Sequence, residues 1–190
     1  HHFLKSNGFQ NSFAYMNRGI NADIFYAGPP TEFKDLPKPI ALYVGRVSHE
    51  KNIKAFLDAP WAGSKVIVGS GPQLNELRTH YTDVVFMGYK SGMALAECYR
   101  SADIFVFPSK TDTFGMVNIE ALACGLPVTA YPVQGPIDII TDITDGALDD
   151  DLAVAMAKAL KVEGSAAKRA KKAAKTYSWE NVAKDFLAAQ

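Results

Sequence analysis

Apolar runs recur along the middle of the chain at residues 40–44, 65–68, 84–87, 104–107 and 128–131. They are rich in Val, Ile, Phe and Tyr and do not alternate with polar positions, the pattern of strands covered on both faces. Between them, residues 51–58, 72–81, 93–101 and 115–124 carry apolar positions at helical spacing. Each stretch is long enough to cross back over a sheet. Alternating strands and helices predict an α/β fold with a doubly wound parallel sheet.

The pattern changes after Pro136. An acidic loop is expected over 142–151, followed by alanine-rich helical segments over 152–175 and 179–189. Residues 1–39 have weaker periodicity and contain Pro29, Pro30, Pro37 and Pro39, so they read as a connector entering the first strand.

Composition sharpens this picture. The chain has 190 residues, enough for one domain with a substantial core. Lys and Arg total 20 and so do Asp and Glu, which removes the whole-molecule electrostatic case for a nucleic-acid partner. The two cysteines, Cys98 and Cys124, lie in expected helices and form neither a disulfide framework nor a zinc pattern, as suits a reducing compartment. No run approaches the length of a membrane span, and the first residues lack the regions of a signal peptide. His1-His2 reads as the end of a purification tag, and the missing initiating Met as the mark of a piece of something larger.

In open parallel sheets, ligands bind where loops leave the carboxyl ends of the strands. The first such loop, Gly45-Arg46-Val47-Ser48-His49-Glu50-Lys51, joins a glycine to two cations. It suits an anion: Arg46 offers a planar fork and Lys51 a point charge, though two solvated cations would read the same way. The second, Gly69-Ser70-Gly71-Pro72, is a glycine turn. The chain holds neither a Gly-x-Gly-x-x-Gly fingerprint nor a Gly-Lys-Ser/Thr P-loop. The third, Gly88-Tyr89-Lys90, offers exposed backbone for a base or serves as a plain strand exit.

The fourth loop and its helix, residues 108–127, say most. Asp112 and Thr113 are candidate caps, and Gly125 with Pro127 gives a stop. At about 100° per residue, Glu120 is surrounded on the helical wheel by Met116, Val117, Ala123 and Cys124, while Asn118 points far away. A carboxylate on an apolar face costs several kcal/mol if buried unpaired, so it needs donors. Sugar hydroxyls would serve, as would an internal backbone amide or Arg. The amides of Phe114, Gly115 and Met116 face the same crevice from the helix start, with Asp112 at the rim.

Taken in order, these segments resemble the retaining glycosyltransferases of the GT-B fold, group 1, also called family 4. The resemblance rests on Gly45-Arg46-Val47 through Glu50-Lys51-Asn52, Val68-Gly69-Ser70-Gly71-Pro72, Phe86-Met87-Gly88-Tyr89, Ala102-Asp103 through Pro108-Ser109, and Glu120 through Pro127. Asp112 and Glu120 have the family's acidic spacing, with seven residues between them, although the first is usually Glu. Arg18-Gly19-Ile20-Asn21 is similar to the linker into this half, and Tyr177-Ser178-Trp179-Glu180 to the final crossover helix. The implied fold is the Rossmann-like donor half of a GT-B enzyme. Residues 1–39 would be a linker from a missing N-terminal acceptor domain, 40–176 the nucleotide-sugar-binding domain, and 177–190 the crossover helix.

The resemblance also implies roles. Arg46 and Lys51 would bind the diphosphate of a UDP- or GDP-sugar, Glu120 the ribose, and Asp112 the transferred hexose. Phe114, Gly115 and Met116 would offer amides to sugar and phosphate. Gly45 and Gly71 would let backbone approach the donor, and Gly88, Tyr89 and Lys90 would hold the base. Gly135 matches the next glycine loop only in part. The implied reaction is hexosyl transfer with retention and without an essential metal, to a saccharide or lipid acceptor bound mainly by the missing domain, in the cytoplasm or at the cytoplasmic face of a membrane.

Two other readings stand beside it: a nucleotide-sugar-binding module with no activity alone, and a GT-B epimerase or phosphorylase relative, against which the 112–127 segment argues. The catalytic His of the N-terminal half maps to neither His49 nor His80. The basic run 168–175 suits peripheral contact with an anionic membrane or, more simply, a solvated helix face, with Trp179 and Phe186 packing the helices down.

Overall fold

Each apolar run forms a strand close to its expected bounds: β1 (Ile40–Val44), β2 (Ser64–Val68), β3 (Val85–Gly88), β4 (Ile104–Phe107) and β5 (Val128–Ala130). The computed structural model describes residues 5–8, 10, 18–112 and 114–188. Thr113, one expected cap, lies outside the described residues, as do His1, His2 and Ala189. The helices between strands are α1 (Ile53–Asp58), α2 (Leu74–His80), α3 (Gly92–Ser101) and α4 (Met116–Ala123). The expected helix at 51–58 starts later, because His49–Lys51 is a single 3-10 turn closed by Asn52 in the left-handed region, at φ 53°.

A sixth strand, β6 (Gly146–Leu148), lies inside the acidic loop. Its residues, Gly146, Ala147 and Leu148, include no β-branched or aromatic side chain to mark a strand. Its position is set by a turn in which Asp142 Oδ1 accepts from the Thr144 amide at 2.8 Å and hydroxyl at 2.9 Å, delivering Gly146 opposite Val128. The sheet is parallel throughout, in the order β3-β2-β1-β4-β5-β6. Successive strand residues face opposite sides, so the sheet feeds two cores. Leu42, Val44, Val66, Val68, Phe105 and Phe107 pack with α3 and α4, while Ala41, Tyr43, Ile67, Ile104 and Val106 pack with α1 and α2.

The C-terminal part adds α5 (Pro136–Ile139), α6 (Leu152–Ala159), α7 (Ala166–Thr176) and α8 (Trp179–Ala188). The alanine-rich stretch divides at Gly164 and Ser165, where the Ser165 hydroxyl caps α7 by accepting from the Lys168 amide. Asp151 caps α6 in the same way. The basic run is more than a solvated face. Lys168, Lys171 and Lys175 are exposed, but Arg169 is buried and donates to the carbonyls of Thr144 at 2.7 Å and Gly125 at 2.6 Å. Lys172 pairs at 2.6 Å with the buried Asp145. These cations pin α7 to the end of α4 and to the turn before β6.

Trp179 and Phe186, expected to pack α8 down, remain largely exposed at 63% and 53%. The Trp179 ring nevertheless lies against Gly19, where an added Cβ would sit 2.3 Å from it. Beside this contact the Ile20 amide donates to the Tyr177 carbonyl at 2.8 Å, and Ile20 bridges Ser178 in parallel. The segment before β1 therefore meets the start of α8. Among the described residues, no helix is long and apolar enough to cross a membrane.

Arg169→Ala would leave the buried Gly125 carbonyl and the partly buried Thr144 carbonyl without their donor. Unfolding in urea should show a loss of about 2–3 kcal/mol, whereas Lys171→Ala should change stability by less than about 0.5 kcal/mol.

Candidate functional site

Strand order reverses at β1: β2 and β3 continue to one side, β4 and β5 to the other. Crevices form at such switch points because the loops leaving β1 and β4 diverge. The exits of β1, β2 and β3 are tied edge to edge, with Gly45 N–H donating to the Val68 carbonyl, Val47 N–H to Ser70 and Gly69 N–H to Gly88. Gly69 is required by space, since a Cβ there would lie 1.8 Å from the Gly45 carbonyl oxygen. Two adjoining cavities of about 550 and 610 Å³ open over this platform and share Val44, Gly45, Arg46 and Val117.

The first cavity is ionic. Lys51 Nζ stands 2.6 Å from Asp112 Oδ2, each side chain 25% exposed. Asp112 is thus an ion-pair partner rather than a helix cap. The cap position belongs to Gly115, whose φ of 73° favours glycine, and α4 begins at Met116. The Met116 and Val117 amides at its start have no intrahelical acceptor, whereas that of Asn118 donates to the Gly115 carbonyl at 2.9 Å. Glu50 also lines this cavity; a hydrogen bond from Ser48 Oγ at 2.6 Å is the main reason its carboxyl pKa falls below the usual value. Tyr43 donates from its phenol to the Arg46 carbonyl at 2.8 Å, fixing the backbone that carries Arg46. Burial, and then the Asp112 and Glu50 carboxylates, push the Tyr43 phenol well up, so it remains a neutral donor.

The second cavity is more apolar and holds Glu120. Tyr99, fully buried on α3, donates from its hydroxyl to Glu120 Oε2 at 2.9 Å. The Tyr99 ring is held edge-to-face by Phe105 at 5.6 Å and Phe25 at 6.2 Å. An internal donor thus engages one Glu120 oxygen, a tyrosine hydroxyl rather than the expected backbone amide or Arg, and the residue lines the cavity. Burial raises the Glu120 pKa above the ordinary carboxylate range, and the Tyr99 hydrogen bond opposes that rise.

The structure brings Lys51, Asp112, Phe114, Gly115 and Met116 into the first cavity, and Gly71, Tyr89, Lys90 and Glu120 into the second, with Gly45 and Arg46 in both. Gly88 shapes the turn instead, accepting from Gly69 at a φ of 69°. Gly135 backs the 112–114 loop, where an added Cβ would lie 3.4 Å from the Phe114 oxygen. His49 bonds Gln73 at 2.9 Å, and His80 bonds the Glu76 carbonyl on its own helix. Asn118 does lie away from Glu120, yet it is fully buried beneath Gly115, its amide unpaired among the described residues.

Sequence reasoning missed Tyr99, Phe25 and Arg18. Tyr99 sits on the buried face of α3 and reads as core; the only signal was that a buried tyrosine hydroxyl needs a partner. Phe25 and Arg18 come from the segment before β1, which has little periodicity. Among the described residues, no group of three or more His, Cys, Asp or Glu side chains is placed to hold a metal ion.

A family profile described as "Glycosyl transferases group 1" matches residues 29–177. The chain is 42% identical over 113 residues to a GDP-mannose-dependent alpha-mannosyltransferase of Mycobacterium tuberculosis, covering 58% of this chain and 30% of that protein. It is 30% identical over 200 residues to a D-inositol 3-phosphate glycosyltransferase of Mycolicibacterium smegmatis, covering 90% and 45%. The chain thus spans less than half the length of these curated relatives. Among solved structures, it resembles the lipopolysaccharide outer core galactosyltransferase WaaB (TM-score 0.77, 22% identity, 98% of this chain and 57% of that chain). It also resembles Anabaena HepE in complex with UDP (TM-score 0.71, 17% identity, 90% and 55%). These last two likenesses establish the fold.

Because its pKa is raised in the fold, Glu120 contributes most to stability when protonated, and that contribution is lost as pH rises through the raised value. Glu120→Gln should therefore melt at a higher temperature than the parent at about pH 8, with the gap shrinking at about pH 4. A calorimetric melt at each pH measures it.

Proposed function

The chain belongs to the glycosyl transferases group 1 family, and from that premise we propose that it is the donor-binding half of a retaining hexosyltransferase of the GT-B type, using a UDP- or GDP-sugar. The observation that carries this reading is the adjacency of two chemically distinct cavities over one glycine platform. One holds a carboxylate oriented by a buried phenol; the other holds cations and helix-start amides. A nucleotide sugar has the same division, with a nucleoside at one end and a diphosphate and hexose at the other.

In this reading Glu120 accepts from the ribose hydroxyls while Tyr99 keeps its second oxygen occupied. The base lies along Gly71 and Tyr89-Lys90. Arg46, which lines both cavities, receives the diphosphate with Lys51 and the amides at 114–116. Asp112 faces the hexose. As the glycosidic bond breaks, negative charge grows on the departing diphosphate, and the cations and amides stabilise it, an effect worth several kcal/mol per well-aimed donor. Positive charge takes the part that a metal ion plays in other transferases.

The acceptor site belongs, in this proposal, to a domain outside this chain, a view supported by the chain's partial coverage of its relatives. The chain alone would bind donor and turn over little. A GDP-mannose-dependent relative and a neighbour solved with UDP keep both bases in play.

Titration calorimetry with UDP, GDP and their hexose conjugates tests the assignment. Glu120→Ala should weaken nucleoside mono- and diphosphates alike, by about tenfold. Arg46→Ala should weaken mono- and diphosphates alike and leave the bare nucleoside, which carries no phosphate, within about twofold. Asp112→Asn frees Lys51 from its ion pair, so free UDP or GDP should bind several-fold more tightly while the intact sugar nucleotide gains less. Absence of heat with every nucleotide, for a folded sample, would refute the donor site.

A further inference from the structure

The cations of the first cavity are not equally available. Lys51 is engaged by Asp112 at 2.6 Å. Arg46 and Arg18 form no ion pair among the described residues. Arg18 is exposed, lines the first cavity and not the second, and sets its guanidinium 5.8 Å from the centre of the Phe114 ring. Phe114 directly precedes the Gly115 cap, so the ring supporting Arg18 belongs to the loop that presents the helix-start amides.

The backbone carrying Arg18 is also tied down. Gly19 lies against the Trp179 ring so closely that no side chain fits, and Ile20 is bridged to Ser178. A guanidinium braced on an aromatic face loses less freedom when it binds, and its planar fork matches two oxygens of a phosphate.

We infer that Arg18 is a further cation of the donor site and grips the phosphate next to the sugar. Its presence in the first cavity alone places it on the hexose side, whereas Arg46, at the boundary, serves the phosphate next to the nucleoside. The inference rests on the donor-site reading above and adds a residue from outside the strand-exit loops. It predicts a division of labour: Arg18 reads the second phosphate, and nucleoside monophosphates do not reach it.

Titrating UMP, UDP, GMP and GDP into the unmodified chain, Arg18→Ala, Arg18→Lys and Arg46→Ala tests this. Arg18→Ala should lower affinity for the diphosphate that binds by about tenfold and leave the matching monophosphate within about twofold. Arg18→Lys should recover part of the loss, since a point charge replaces a fork. Unchanged diphosphate affinity in Arg18→Ala beside a clear loss in Arg46→Ala would overturn the role of Arg18 and leave the donor site standing. An equal loss of mono- and diphosphate would overturn it as well. Failure of the unmodified chain to bind any nucleotide would overturn both readings.

Discussion

Parallel pairing of β1 with β2 on one side and β4 on the other is the constraint on which the rest of this molecule depends. It brings the carboxyl ends of the strands to one edge and opens the crevice where strand order reverses. Gly69 lets the exit of β2 lie against the Gly45 carbonyl, and the resulting platform is the shared floor of both cavities.

Over that floor the charges are placed at some cost to stability. Glu120 is largely withdrawn from water with one donor for one oxygen, and burial raises its pKa. Tyr99 reduces the cost without removing it, because it engages only one of the two carboxylate oxygens. The Lys51–Asp112 pair has the opposite character. Each charge satisfies the other, so an anion entering the cavity would compete with Asp112 for Lys51. In the proposed donor site, the hydroxyls of a hexose would give Asp112 a partner in return.

The C-terminal helices stabilise the crevice from behind. Arg169 and Lys172 join α7 to the end of α4 and to the turn before β6, and thereby hold the helix whose first turn faces the cavity. The contact of Trp179 with Gly19 and the bridge between Ile20 and Ser178 bring the segment before β1 back to the site. That return places Arg18 beside Phe114.

The sequence by itself determined five of the six strands, the helices between them and the glycine loops at the strand exits, because burial on both faces leaves apolar runs that need no partner to be recognised. It also singled out Glu120, whose carboxylate breaks an apolar helix face. It did not yield β6, since Gly146, Ala147 and Leu148 include no β-branched or aromatic residue and the strand is set by the Asp142 turn. Nor did it distinguish Arg169 from its solvated neighbours, because its carbonyl partners lie 25 and 44 residues away. Tertiary structure alone decided that Tyr99 holds Glu120, that Asp112 pairs with Lys51 instead of capping α4, and that Arg18 reaches the cavity. Each is a contact between segments distant along the chain, and local pattern carries no information about which distant groups the fold will bring together.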